Sequence, residues 1–181
     1  MEVVADMDFD VYCQKYIFDP LGMDTTQWFL GNTDLPRLAI PYDEKNIALP
    51  NYSFASYPDG ALKTTAMEFA QFVLALLNDE EEVPHLLSKA IVNEMFYPQA
   101  REGKQALVWS YSVLEDLLLP SSNGVVAGHS GSDPGIATLV LINREKKNGL
   151  ILFMNKEISI NFKSINIYLL IRRLIHEAGL K

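Results

Sequence analysis

Gly128-His129-Ser130-Gly131-Ser132-Asp133-Pro134-Gly135 leads directly into the apolar run Ile136–Ile142. Asn148-Gly149 then divides that run from a second, Leu150–Met154. Asn and Gly both tolerate positive φ, so Asn148-Gly149 between two apolar runs predicts a hairpin turn. The small residues at 128–135 suit a strand that other groups approach closely, since a residue without a side chain leaves its backbone open. Such a strand feeding a hairpin presents backbone N–H groups at an edge, and N–H groups so placed can hold an oxyanion during acyl transfer.

Working outward, strands are predicted at Leu107–Leu114, Val125–Ser130, Ile136–Ile142 and Leu150–Met154. Leu150-Ile151-Leu152-Phe153-Met154 is apolar without alternation, which suits a strand covered on both faces. Its hairpin partner covers one edge. Nothing obvious in this sequence covers the other, and a bare apolar edge invites pairing with another chain. C-terminal to the strands, Phe162, Ile165, Leu169, Ile171, Leu174, Ile175 and Ala178 mark an apolar helix face over 160–180, with Gly179 as its cap.

Toward the N-terminus the pattern turns helical. Phe9, Tyr12, Cys13 and Tyr16 share one face of a helix over Asp8–Phe18 that Pro20 is expected to end. From Thr25 to Ser56 the chain is irregular, with at most short strands near Gln27–Leu30 and Leu38–Tyr42, and Tyr57-Pro58-Asp59-Gly60 is a turn signal. Thr65-Ala66-Met67-Glu68 reads as a capping box opening a helix to about Asn78, and a second helix is expected over Ser88–Phe96. The chain thus divides into a helical part with irregular loops, 1–103, and a part of antiparallel strands with a terminal helix, 104–181. That order predicts an α+β protein.

Composition narrows the chemistry. The chain has 181 residues, 49% of them hydrophobic, and carries 23 acidic against 15 basic side chains for a net charge of −8. A length of this order buries roughly 70% of the surface its unfolded chain exposes. The negative balance, without a basic stripe, argues against a nucleic-acid partner. One cysteine, Cys13, excludes an internal disulfide, and His85, His129 and His176 have no metal-ligand spacing, so neither metal nor cofactor is expected. No run reaches membrane-spanning length, and the acidic start lacks the basic region of a signal peptide. As written, the chain is expected to be cytoplasmic, with a periplasmic or extracellular place open to a longer parent.

Several segments together resemble one family. Ile17-Phe18-Asp19-Pro20-Leu21-Gly22-Met23-Asp24-Thr25 is similar to the I-F-x-P-L-G-M-x-x-T segment of serine beta-lactamase-related proteins, which include class C beta-lactamases, D,D-peptidases and esterases. Gly60-Ala-Leu-Lys-Thr-Thr before Glu68-Phe69-Ala70 resembles that family's G-x-x-S/T-T-x-x-D/E-x-A helix start. His129-Ser130-Gly131 with Pro134-Gly135 resembles the H-S/T-G-x-x-P-G form of its third active-site motif, and 143–155 its last hairpin. The resemblance implies a beta-lactamase/transpeptidase-like fold, of which this chain is the C-terminal part.

What the family uses first is missing here. None of the lysines has a serine three residues before it, and no tyrosine begins Tyr-x-Asn. Those motifs supply the nucleophile, its base and the second polar group, and in the family they precede the P-L-G-M segment, as do two strands that complete the sheet. Ser121-Ser122-Asn123 fits Ser-x-Asn in letters but stands too near His129, and reads as a polar loop after Pro120. The bare edge and the missing motifs then have one cause, a fragment of a longer enzyme that is inactive alone. The alternative is a non-catalytic binding or assembly module derived from the fold.

By resemblance, His129 occupies the position that elsewhere holds Lys, assisting proton transfer or binding an acidic group, and Ser130 hydrogen-bonds the substrate. Gly131 admits the substrate backbone, and the Ser132 N–H supplies half of an oxyanion hole. A rival reading makes Gly128–Ser132 a nucleophile elbow with Ser130 attacking, but that elbow wants Gly at 132 and a helix after it. Cys13 is expected to be a packing residue, the acidic run 79–82 a solvated helix end, and His85 and His176 surface residues. Tyr52, Tyr57 and Trp109 are candidates for a cleft wall, with core packing the default. The partners implied are a small acyl substrate (beta-lactam, peptide or ester) once the site is complete, and a second copy or an N-terminal complementing segment at Leu150–Met154.

Overall fold

The structure is a computed structural model describing residues 1–32, 35–77, 86–120, 122, 124–157 and 165–180. The readings placed on Asp79–Glu82, His85, Ser121, Asn123 and Phe162 lie outside the described residues. Seven α-helices and three strands follow in chain order among those residues: α1 Glu2–Ala5, α2 Phe9–Cys13, α3 Asp19–Leu21, α4 Ala66–Leu77, α5 Lys89–Phe96, α6 Val113–Asp116, β1 Ala127–Asp133, β2 Ile136–Asn143, β3 Asn148–Met154 and α7 Ile165–Glu177.

The strands form an antiparallel meander, β1-β2-β3, with β2 in the middle. Period-two alternation sends Leu139 and Leu141, with Leu150 and Leu152 beside them, to one face, where Ile171 and Ile175 of α7 pack. Val140 and Ile142, with Ile151 and Phe153, go to the other face, against Val73 and Leu76 of α4 and Val92 and Phe96 of α5. Both faces of β3 are therefore apolar because both carry helices. A third cluster joins Cys13, Phe18, Leu21, Met23 and Trp28 to Ala75 of α4.

The connections explain where local reading and structure differ. The helix expected to stop at Pro20 continues through a π-helical turn, Gln14–Phe18, into α3. Pro20 lies in α3 one residue before the end of that continuous stretch at Leu21. The helix ends instead at Gly22, φ 67°, with Met23 N–H on Phe18 C=O at 2.9 Å and Gly22 N–H on Asp19 C=O at 3.1 Å. That is a Schellman closure, and Met23 and Phe18 share its apolar contact.

Leu107–Leu114 is not a strand. Ser110 makes one bridge to Gly128, then Ser112 donates its hydroxyl to the Asp116 carboxylate at 2.9 Å and the chain coils into α6. Local side-chain bonding of this kind competes with a ladder. The stretches near 27–30 and 38–42 hold only isolated bridges, Gln27 to Lys63 and Tyr42 to Ala48 and Lys156. Asn148-Gly149 is not the hairpin turn either, because both residues already pair in β3 and residues 144–147 make the turn. Asn143 builds it, accepting the Lys146 N–H at 2.9 Å on its side chain, and Lys147 takes the positive φ of 52°.

The helix starts carry the expected caps in part. Ser88 accepts the Ile91 N–H, and Thr65 accepts the Glu68 N–H at 3.1 Å. The Glu68 carboxylate does not return to Thr65; it binds Thr25 and Thr26 instead. Gly179, φ 64°, closes α7, with Leu180 N–H on Ile175 C=O at 3.1 Å.

Candidate active site

In an antiparallel ladder, successive residues turn their N–H and C=O alternately toward the partner strand and away from it. Gly128 fixes that phase in β1. Its N–H donates to Ser110 C=O at 2.9 Å and its C=O accepts the Ser110 N–H at 3.1 Å, so its backbone faces away from β2. Ser130 and Ser132, two and four residues on, turn theirs to the same outer edge. Among the described residues no strand continues the ladder beyond Ser110 to cover them.

The side chains follow the opposite alternation. Ser130 lies opposite Leu139 on the α7 face, and His129 opposite Val140 on the α4–α5 face. His129, Ser130, Gly131 and Ser132 are all exposed. The His129 Nδ1 lies 3.2 Å from the Ser130 carbonyl oxygen, to which it donates in the tautomer that carries its proton there.

Two glycines in this strand have no room for a side chain. A Cβ on Gly128 would meet the Val140 carbonyl at 2.4 Å, and one on Gly131 would meet Thr138 Oγ1 at 2.6 Å. The Thr138 hydroxyl therefore sits against Gly131, a placement the sequence analysis missed. Its signal was the single polar side chain within Ile136–Ile142.

The end of β1 is held from a distant part of the chain. Pro134-Gly135 joins β1 to β2, with Gly135 at φ 75°. Tyr52 donates its hydroxyl to Pro134 C=O at 2.7 Å, and its ring packs on Phe54 at 5.3 Å. Burial raises the Tyr52 pKa, and the charges of Asp133 and Glu157 raise it further, so the phenol stays protonated and able to donate. Tyr42 N–H meets Asn155 C=O at 3.0 Å, and Asn155 donates its amide to Ile40 C=O at 2.9 Å, fastening segment 40–42 across the end of the sheet.

The other candidates separate cleanly. Half-buried Tyr57 packs with Phe9, Trp28 and Phe29 against the third cluster, and buried Trp109 stacks on Phe96 at 5.1 Å within the core. Cys13 is buried with its thiol unbonded to sulfur, its pKa raised by burial and then by Asp10. His176 is exposed on α7. The elbow reading of Ser130 fails, because β1 continues to Asp133 and turns into β2 where a helix would have to begin. Among the described residues no group of three His, Cys, Asp or Glu side chains could hold a metal ion, and no helix is long and apolar enough to cross a membrane.

A profile of the beta-lactamase family, described simply as Beta-lactamase, matches residues 1–172. Among solved structures the chain is similar to a D-alanine carboxypeptidase AmpC from Burkholderia cenocepacia, with 20% identity and a TM-score of 0.73 over 96% of this chain and 57% of that one. It is similar also to a beta-lactamase/D-alanine carboxypeptidase from Pseudomonas syringae, with 17% identity and a TM-score of 0.72 over 97% and 55%. A third is an octameric penicillin-binding protein homologue from Pyrococcus abyssi, with 22% identity and a TM-score of 0.62 over 86% and 35%. The chain thus spans about half the length, or less, of these proteins. At such identities they establish the fold: α+β, with an antiparallel sheet, as part of the beta-lactamase/transpeptidase-like architecture. A search of curated proteins found no match.

Proposed function

The chain belongs to the beta-lactamase family, and from that premise we propose that β1 is the substrate-holding strand of a serine acyl-transfer site whose nucleophile another segment supplies. The observation that carries this is the outer edge of β1 beyond Gly128. There the Ser130 and Ser132 backbones turn outward, with a glycine between them and exposed small side chains around them. An extended substrate lies along such an edge, and the Ser132 N–H donates to the carbonyl oxygen as it gains charge. His129, whose side chain is on the α4–α5 face of the same strand, assists proton transfer or binds an acidic group, and Ser130 hydrogen-bonds the substrate.

The sequence holds no Ser-x-x-Lys and no Tyr-x-Asn, so residues 1–181 alone form no acyl-enzyme. In this reading the chain acts as the C-terminal part of a longer hydrolase of beta-lactams, peptides or esters. The missing motifs equally favour a second reading, a non-catalytic binding or assembly module that keeps the strand and has given up the chemistry.

Intact-mass analysis with a fluorophosphonate and, separately, a penicillin tests both. The folded chain alone is expected to gain no mass. Mixed with a family segment bearing Ser-x-x-Lys and Tyr-x-Asn, it is expected to yield an adduct on that segment's serine. An adduct on Ser130 of the lone chain would overturn the proposal. No adduct from a mixture shown to associate would leave the binding module.

A further inference from the structure

Behind the Ser130–Ser132 edge lies a cavity of about 370 Å³ between the sheet and the first turns of α7. Its walls are mainly apolar, with Leu139 and Leu152 from the sheet and Ile167 and Ile171 from α7, and Thr138 and Tyr168 add hydroxyl-bearing side chains to the lining. Ser130 and Ser132 line one side of it, and no charged residue is among its lining. A cavity of this volume falls in the range of small-ligand sites, which are mostly apolar with a few polar groups that fix orientation.

The geometry points to this cavity as the seat of an aliphatic acyl chain. The inference rests on the acyl-transfer reading of β1 and narrows it, from beta-lactam, peptide or ester to esters of apolar fatty acids. A carbonyl held at the outer edge of β1 has its alkyl chain beside the Ser130 and Ser132 side chains, which open onto the apolar walls. There it leaves water for apolar contact. A charged acyl group would have to give up its water among walls that hold no opposite charge.

The chain itself, without a nucleophile, suffices for the test. A polyene fatty acid that brightens in apolar surroundings is titrated into it, with octanoate as competitor. Saturable binding at one site, displaced by octanoate, is expected. Ala137→Leu fills space in the cavity wall and should weaken binding by about tenfold or more, in keeping with the apolar contact it removes. If Ala137→Leu fails to fold, Ile167→Phe fills the same space from α7. Leu170→Ser, on the exposed face of α7 and outside the cavity lining, should leave binding unchanged.

Absence of binding, or binding indifferent to the filling variants, would overturn the inference. Its failure is distinct from that of the site reading. Fatty-acid binding without an acyl adduct in the complemented enzyme would sink the catalytic reading alone, whereas an adduct without fatty-acid binding would sink only the acyl-chain pocket.

Discussion

Thr26 donates its hydroxyl to the carboxylate of Glu68 at 2.6 Å, across 42 residues of sequence. The other oxygen of Glu68 accepts the N–H and hydroxyl of Thr25, each at 2.9 Å. With its proton committed to Glu68, Thr26 accepts from Thr64, 2.7 Å away. One carboxylate thus locks the first turn of α4 to the segment that follows Gly22, and Thr26 is 2% exposed at the junction.

Acid stability should report this junction. Burial alone would raise the Glu68 pKa, but the hydrogen bonds from Thr26 and Thr25, helped by the charge of Arg37, bring it below its ordinary 4.5. A depressed folded-state pKa contributes stability that is present above the unfolded value and lost as pH falls through the folded one. Glu68→Gln should cost about 1.5–3 kcal/mol at neutral pH, the range for bonds to a charged group, and flatten the acid limb. Urea denaturation across the acid range measures both, and an unchanged acid limb would remove Glu68 from the account.

Gly135 and Gly124 separate two costs of losing a glycine. Both have positive φ, 75° and 78°, but only at Gly135 would a Cβ strike backbone and ring, with Pro41 Cβ at 2.6 Å and Tyr42 N at 2.8 Å. Gly124→Ala should cost about 1–2 kcal/mol for the left-handed conformation alone. Gly135→Ala should cost more, because segment 40–42 must also move. Thermal unfolding of the two variants gives the difference, and equal losses would show that segment 40–42 yields freely.

In the complemented enzyme, Ser132→Pro deletes the N–H assigned to the oxyanion and should lower kcat by about 10²–10³, the effect of losing one such donor. His129→Ala should also lower the rate, since the group proposed to assist proton transfer or bind an acidic group would be lost. Steady-state ester hydrolysis measures both. A Ser132→Pro enzyme of full activity would mean that another group holds the oxyanion.

The outer edge of β3 has no strand beside it among the described residues, and the strand has no charged side chain. The lone chain should therefore associate with rising concentration through Leu150–Met154, seen by light scattering together with slowed amide exchange on β3. A monomer at high concentration with β3 already protected would show the edge to be covered.

Elements written by local pattern were legible: Ile136–Ile142 and Leu150–Met154 as strands, the helix opening at Thr65, the Gly179 cap. The apolar run in β3 was read from its lack of alternation, and the helices on both faces explain it. What escaped was decided by side chains choosing among competing partners. Asn143 captures the turn that Asn148-Gly149 advertises, Ser112 and Asp116 coil a segment with strand composition, and Glu68 leaves its own cap for threonines 42 and 43 residues away. His129–Ser132 could be singled out from sequence as a candidate site. The phase of its outward backbone could not, because Ser110 sets it, and neither could the placement of Thr138 against Gly131 or the bond from Tyr52, a cleft-wall candidate in sequence, to Pro134.

The meander has its own consequence for how the molecule assembles. Its strands are consecutive, joined through residues 134–135 and 144–147, so each ladder bond closes a short loop at little entropic cost. Hairpins of this kind form within microseconds, whereas the tie from Asn155 to Ile40 must bring together positions 115 apart. The strand bearing His129 and Ser132 can thus take shape as an early nucleus, and the long-range ties then capture an edge that already exists.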